Sequence, residues 1–336
     1  MSAEPIIAAL VVFQLFLGTA AGPAAKLPEM AVARTAVQSE IKTDKQIRFG
    51  FADRAEAAAF IEQNDAYYNS MNQINIDWRM GKTDATLAQL RKYAKEQVLD
   101  FTDEEKTFYQ SRLEVLQKRL FDLGYEYELD VPVVFVKCTN KDELDSAAYT
   151  HANYVFLGRD IYRYYKQEII DEAYVDEVLA HEVFHVLTRN DPDFRARMYK
   201  AIGFEIDEEI PFGEDVKKVI ASNPDVTKYD CSAYFTINGK KKKGTIVSYF
   251  AAPWTKDANP FDYMLPGVVF YDEPNKIYTV DEISDFWDVV GRNTDYVIAA
   301  EECMADNFAF AVTYGMDADY KDPEIPKYII EHIKGE

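Results

Sequence analysis

Two histidines four residues apart flank a glutamate in His181-Glu182-Val183-Phe184-His185. On an α-helix, positions i and i+4 share a face, so both imidazoles can reach one metal ion. Glu182 then lies beside that ion, placed to take a proton from water. The chain has only 4 histidines, so two at ligand spacing around a carboxylate is an uneven use of a scarce residue. Val175, Val178, Leu179, Val183, Phe184, Val186 and Leu187 cover most of the circumference of this stretch, and a helix apolar nearly all round is buried. Two imidazoles and a carboxylate are costly to bury unpaired, and a metal ion is a partner that removes the cost. Chance spacing in a core helix leaves that cost unexplained. Asp171-Glu172 suit the positive end of such a helix, and Asn190-Asp191-Pro192 closes it.

A catalytic zinc ordinarily has three protein ligands and one open position. No third histidine follows shortly after His185. The remaining ligand is expected in Glu301-Glu302-Cys303-Met304-Ala305-Asp306-Asn307-Phe308, on a helix running from about Tyr296 to Tyr314. Glu302 and Asp306 are i and i+4 on one face. Glu302 can ligate while Asp306 holds a ligating histidine through its other ring nitrogen. Glu301 is the rival, but its i+4 neighbour is Ala305 and it points about 100° away from Glu302. A solvated acidic face is the ordinary reading of adjacent glutamates; Val297, Ile298, Ala299, Ala300, Phe308, Ala309 and Phe310 predict burial instead.

These two anchors resemble the gluzincin pattern of thermolysin-like zinc peptidases, H-E-x-x-H followed by E-x-x-x-D on a later helix. The longer strings around them, with Ser222-Asn223-Pro224-Asp225 and Tyr199-Lys200-Ala201-Ile202-Gly203-Phe204, also resemble a group of bacterial zinc-metallopeptidase-like proteins. The resemblance spans roughly Val131 to Tyr314. It implies a zincin-like α+β fold with a small mixed or antiparallel sheet, a buried HExxH helix and a mostly helical remainder. It implies Zn2+ held by His181, His185 and Glu302, Asp306 behind the ligands, Glu182 as the base, and a peptide or protein substrate. His185 and Glu302 stand much further apart here than the matching ligands of thermolysin, so substrate-side residues do not carry over. An oxyanion-stabilising group is expected as well; His151, Tyr249, Tyr271 and Tyr314 are candidates by residue type. The alternative from another class is a metal-binding surface or assembly protein without hydrolysis, against which the intact Glu182 argues.

A net charge of −21 repels nucleic acid, which excludes DNA and RNA as expected partners. Three cysteines, Cys138, Cys231 and Cys303, allow at most one internal disulfide and suggest no disulfide framework. Ile6 to Ala21 is mostly apolar, short for a membrane span and of the length of a signal-peptide core, with Gly18-Thr19-Ala20 as a cleavage site. The expected location is therefore extracytoplasmic, by a signal peptide or an uncleaved membrane anchor. His332, near the end of the chain, is expected to be exposed.

The elements that must position these residues divide as 1–25 leader, 26–50 tether, 51–130 helical lobe and 131–336 catalytic domain. Asp53–Ser70, Asp84–Val98 and Asp103–Leu123 show apolar residues at helical spacing, and Thr102-x-x-Glu105 is a capping box. Strands are expected at Val131–Val136, Tyr149–Leu157, Ser232–Ile237, Thr245–Phe250 and Gly267–Tyr271. Asn238-Gly239 makes a hairpin, with Lys240–Lys243 at its exposed tip. Helices at Asp281–Val290 and about Ile325–Ile333 complete the reading. The strand before the HExxH helix resembles a zincin edge strand, which can pair with an extended peptide backbone.

Overall fold

The computed structural model describes residues 47–126 and 129–335; the apolar leader and the tether up to residue 46 lie outside the described residues. The architecture is α+β with two five-stranded sheets. In the first, β1 (Phe49–Phe51), β3 (Val133–Cys138) and β5 (Tyr154–Gly158) run parallel, and β4 (Ala148–His151) closes the edge antiparallel to β5. The short β2 (Val98–Leu99) pairs antiparallel with the end of β3. The second sheet is antiparallel in the order β10-β9-β8-β7-β6, from β6 (Glu205–Ile206), β7 (Cys231–Ile237), β8 (Lys240–Phe250), β9 (Met264–Phe270) and β10 (Glu273–Thr279).

The first sheet is covered on both faces, which explains the unbroken apolar run of β3. Val133 and Phe135 point into the main core. Val134 and Val136, one residue out of phase, point into a second core with Ala57, Ile61, Leu90 and Ala94. Those four belong to α1 (Arg54–Gln63) and α4 (Leu87–Gln97); between them lie α2 (Asp65–Ser70) and α3 (Gln73–Met80). Within the 51–130 stretch, residues 54–97 cover this face of the sheet, and residues 103–122 pack into the main core on the other. The tether boundary at 50 also moves, because β1 starts at Phe49 and pairs with β3.

The main core lies between α7 (Glu172–Asn190), which carries the HExxH stretch, and α11 (Ala300–Tyr314). Val183, Phe184, Leu187, Cys303, Met304 and Phe308 are all fully buried, and the Phe184 and Phe308 rings sit 4.6 Å apart. Each such side chain contributes about 1.5–3 kcal/mol by leaving water. α5 (Asp103–Asp122) packs across α7 with Leu113, Leu116 and Leu120 buried, and its N-terminus has the expected capping box at Thr102 and Glu105. Arg112 and Arg119 of α5 converge on buried Asp176 of α7, with contacts of 2.6 to 2.8 Å.

Other boundaries differ for local reasons. The stretch Tyr149–Leu157 is not one strand but the hairpin β4–β5. His151 pairs with Tyr154, leaving Ala152-Asn153 as a two-residue loop with Ala152 at φ 52°. Alternation continues through the turn and no glycine marks it, so the sequence pattern conceals it. Asn64 splits the helix expected over Asp53–Ser70. Asp281–Val290 forms one 3₁₀ turn and the short α10 (Phe286–Val290). The hairpin at Asn238-Gly239 is as expected, both residues taking positive φ, but only Lys240 and Lys241 are exposed. Lys242 pairs with Asp272 and Glu273, and Lys243 with Asp207. All three cysteines are free and buried. No helix among the described residues is long and apolar enough to cross a membrane.

Candidate metal centre

Asp171 caps α7, accepting from the Tyr174 N–H at 2.9 Å. At the other end Asp191 caps the next helix, α8 (Pro192–Met198), whose first residue is proline; the chain therefore leaves α7 after Asn190. Between these stops every residue from Val175 to Thr188 is buried, including His181, Glu182 and His185.

α11 begins at Ala300, four residues later than the expected Tyr296, because Tyr296 N–H donates to the Thr294 hydroxyl in a turn. Glu301 and Glu302 thus occupy the first turn, where the helix dipole favours carboxylates. Asp306, one turn on, accepts from the Thr294 hydroxyl through Oδ2 and contacts His181 Nδ1 at 2.8 Å through Oδ1.

That contact fixes the ring. With its Nδ1–H directed at Asp306, neutral His181 presents a lone pair at Nε2. His181 Nε2 lies 3.1 Å from Glu302 Oε2 and 3.1 Å from His185 Nε2, and the last two atoms are 3.4 Å apart. Tetrahedral ligands about 2.1 Å from a zinc ion stand roughly 3.4 Å from each other. The spacing therefore fits that ion, and three electron-rich atoms at such distances call for a cation between them. Without a metal, protons serve. Burial works against charge on His181, yet Asp306 and Glu302 hold it well above the ordinary histidine range. Burial likewise works to raise Glu302, and His185 and His181 hold it below the ordinary carboxylate range.

Glu182 has a different setting. Its Oε2 is buried and has no hydrogen-bond partner. Burial first, then the charges of Asp225 and Glu302, push its carboxyl well above the usual range. A divalent cation among the three ligand atoms would offset this penalty. The donor set, the orphaned oxygen and the fixed ring all fit zinc.

Glu301 is not on a solvated face either, but it turns away from the histidines. Its carboxylate meets the guanidinium of Arg195 at 3.2 Å and the thiol of Cys231 at 3.4 Å. Arg195 also forks onto Asp230, with contacts of 2.5 and 3.1 Å.

The candidate oxyanion groups scatter. His151 packs tilted or edge-on among Phe60, Tyr67, Tyr149 and Phe156, and burial, then Arg189 and Arg79, pushes it down to about 3. Tyr271 donates to the Glu208 carbonyl at 2.8 Å, away from the ligands. Tyr249 sits on β8 beside Ile220, and burial, then Glu282, raises its hydroxyl above the ordinary range. Tyr314 donates to Glu177 at 2.7 Å, one turn of α7 before His181. The phenol nearest the ligands is Tyr296, whose ring lies 6.2 Å from that of His181. Burial, then Glu302, Asp225 and Asp306, pushes its hydroxyl well above the ordinary tyrosine range, so it keeps its proton. His332 is half-buried, stacked on Tyr328, and has no part in the centre.

Residues 222–225, quoted above only for a resemblance and given no role, also surround the ligands. Asn223 donates to Glu302 Oε1. Asp225 Oδ1 lies 4.0 Å from His185 Nε2, accepts the Thr150 N–H at 2.8 Å and contacts Arg189 at 3.4 Å. Arg189 was legible in principle, since it lies one turn beyond His185 on the same face. Nothing in the spacing of Asn223 and Asp225 points to the centre. No protein-family model, curated protein or solved structure matches this chain.

Proposed function

We propose that this protein is a zinc-dependent hydrolase of peptide bonds, zincin-like in arrangement. One observation carries the reading: His181 Nε2, His185 Nε2 and Glu302 Oε2 converge while Asp306 fixes the outer nitrogen of His181. The antiparallel edge strand β4, tied to the HExxH helix through Thr150 and Arg189, supports the zincin-like comparison.

A zinc ion held there would polarise a carbonyl and acidify water to a pKa of about 7. The chain supplies the rest. Glu182 Oε2, unpaired and buried, accepts the proton of the attacking water and returns it to the leaving amine. Asp306 keeps His181 in the tautomer that presents Nε2. Tyr296, whose ring lies 6.2 Å from that of His181, is the candidate to stabilise negative charge developing on the substrate oxygen.

Glu182→Gln keeps the shape and removes the base. Metal content should stay unchanged while cleavage of a mixed peptide library falls by at least about 100-fold, the scale of general-base loss. Full activity in that variant sinks the mechanism. Zinc in the protein with no turnover of any peptide would favour a metal-binding assembly protein instead.

A further inference from the structure

The edge strand is closed at one end and open at the other. Ala147 and Gly158 form a hydrogen-bonded pair at 2.8 Å, so alternation turns the main-chain groups of Ala148 and Thr150 away from β5. At Thr150 the outward N–H is already taken by Asp225, and Arg189 lies 3.5 Å from the carbonyl. An incoming strand cannot pair there.

Residues 222–225 occupy that place as a strap pinned from two sides. Arg189 donates to the carbonyls of Pro224 and Asp225 at 3.2 and 2.9 Å. From α3, Arg79 donates to the Ser222 carbonyl at 2.6 Å, and Asn75 Oδ1 accepts the Ser222 N–H at 2.8 Å. Arg79 is itself locked by buried Glu143 at 2.7 Å. The strap ends at the candidate ligands, through Asn223 on Glu302 and Asp225 beside His185.

The other direction is open. Ala148 lines a cleft of about 60 Å³ together with Asn223, Asp225 and Tyr296. Arg79, Leu144, Ser146 and Phe261 border both this cleft and a cavity of about 720 Å³. Trp78, Tyr93, Tyr164, Tyr174, Trp254 and Phe261 stand in the wall of that cavity. Its size lies in the usual range of ligand sites, and its aromatic wall suits bulky apolar groups.

We propose that the cleft is one-ended, so that it takes free ends of peptides, with bulky apolar side chains of the bound segment held in the aromatic cavity. This rests on the hydrolase reading for the cutting, though not for the binding. A chain lies along β4 from the Ala148 side, and the strap stops it at the ligands. A loop continuous in both directions has no exit.

The test compares a linear, tryptophan-free peptide rich in Phe and Leu with its head-to-tail cyclic form. Binding to Glu182→Gln is read by protein tryptophan fluorescence, since two of the 3 tryptophans, Trp78 and Trp254, line the cavity. Cutting by the wild type is read by mass spectrometry. The linear peptide should bind at least about 10-fold more tightly than an Ala-substituted version, and Trp254→Ala should erase that difference. The cyclic form should neither bind comparably nor be cut, and linear products should lack only a few residues from one end. Cyclic binding as tight as linear, cleavage at central bonds, or no binding of either peptide overturns the one-ended cleft. Selective linear binding with no cleavage leaves the cleft standing and removes the hydrolase reading.

Discussion

Glu301 and Glu302 are adjacent on one helix, both are buried, and each joins a cluster of three residues able to hold a metal. Their surroundings differ in one respect. Glu302 meets two imidazole nitrogens, and among the described residues no arginine or lysine contacts the three atoms. Glu301 meets Asp230 and Cys231 with Arg195 already between them. Burial, then Glu301, also pushes the Cys231 thiol well above its ordinary range. One cluster has no guanidinium and the other is built around one. A list of acidic residues and cysteines within reach of each other does not separate these cases; the position of the nearest guanidinium does.

The largest expected effect breaks that comparison directly. Glu302→Ala should remove stoichiometric zinc at limiting metal, and Glu301→Ala should leave it, both read by metal analysis of purified protein. The reverse result would mean that the metal belongs to the Arg195 cluster. Next in size, Arg195→Met removes the built-in cation and leaves Asp230 and Glu301 buried without it. Breaking a buried pair in this way costs about 3–5 kcal/mol, measurable by urea unfolding. An unchanged unfolding midpoint would show that the guanidinium is not what holds those carboxylates.

Asp306→Ala keeps all three ligand atoms and loses the hold on His181 Nδ1. Zinc affinity should weaken by roughly 10- to 100-fold in a competition titration with a chelator. An unaltered affinity would mean that packing alone orients the ring. The smallest effect sharpens the comparison with a histidine that has no carboxylate. His151 falls from 6.5 to about 3 through burial, then Arg189 and Arg79. Its folded value lies below its unfolded one, so its contribution to stability is complete above pH 6.5. The contribution is lost as pH falls toward about 3, because the unfolded chain gains a proton that the folded chain refuses. His151→Phe should therefore flatten the acid side of a stability–pH curve over that window. An identical slope in both proteins would remove the argument.

Local pattern made much of the centre legible. Helical phase alone paired His181 with His185 and Glu302 with Asp306, and separated Glu301 from both, since a helix turns about 100° per residue whatever surrounds it. The capping box at Thr102 and the Asn238-Gly239 hairpin were equally local. Asn72 and Gly81 also bracket α3 as a cap and a left-handed stop, a signal present in the sequence and passed over. The turn at Ala152-Asn153 left no such mark, and without it the edge strand could not be separated from its neighbour.

The sequence by itself determined which side chains share a helix face, because that depends only on backbone periodicity. Tertiary structure decided where the guanidinium goes, since Arg195 lies on α8, Asp230 in the loop before β7 and Glu301 on α11. It also decided the shape of the cleft. The strap over the ligands is held by Arg79 and Asn75 from a helix more than 140 residues earlier in the chain. No periodicity spans that distance; only packing of α3 against the rest of the fold brings those groups to residues 222–225.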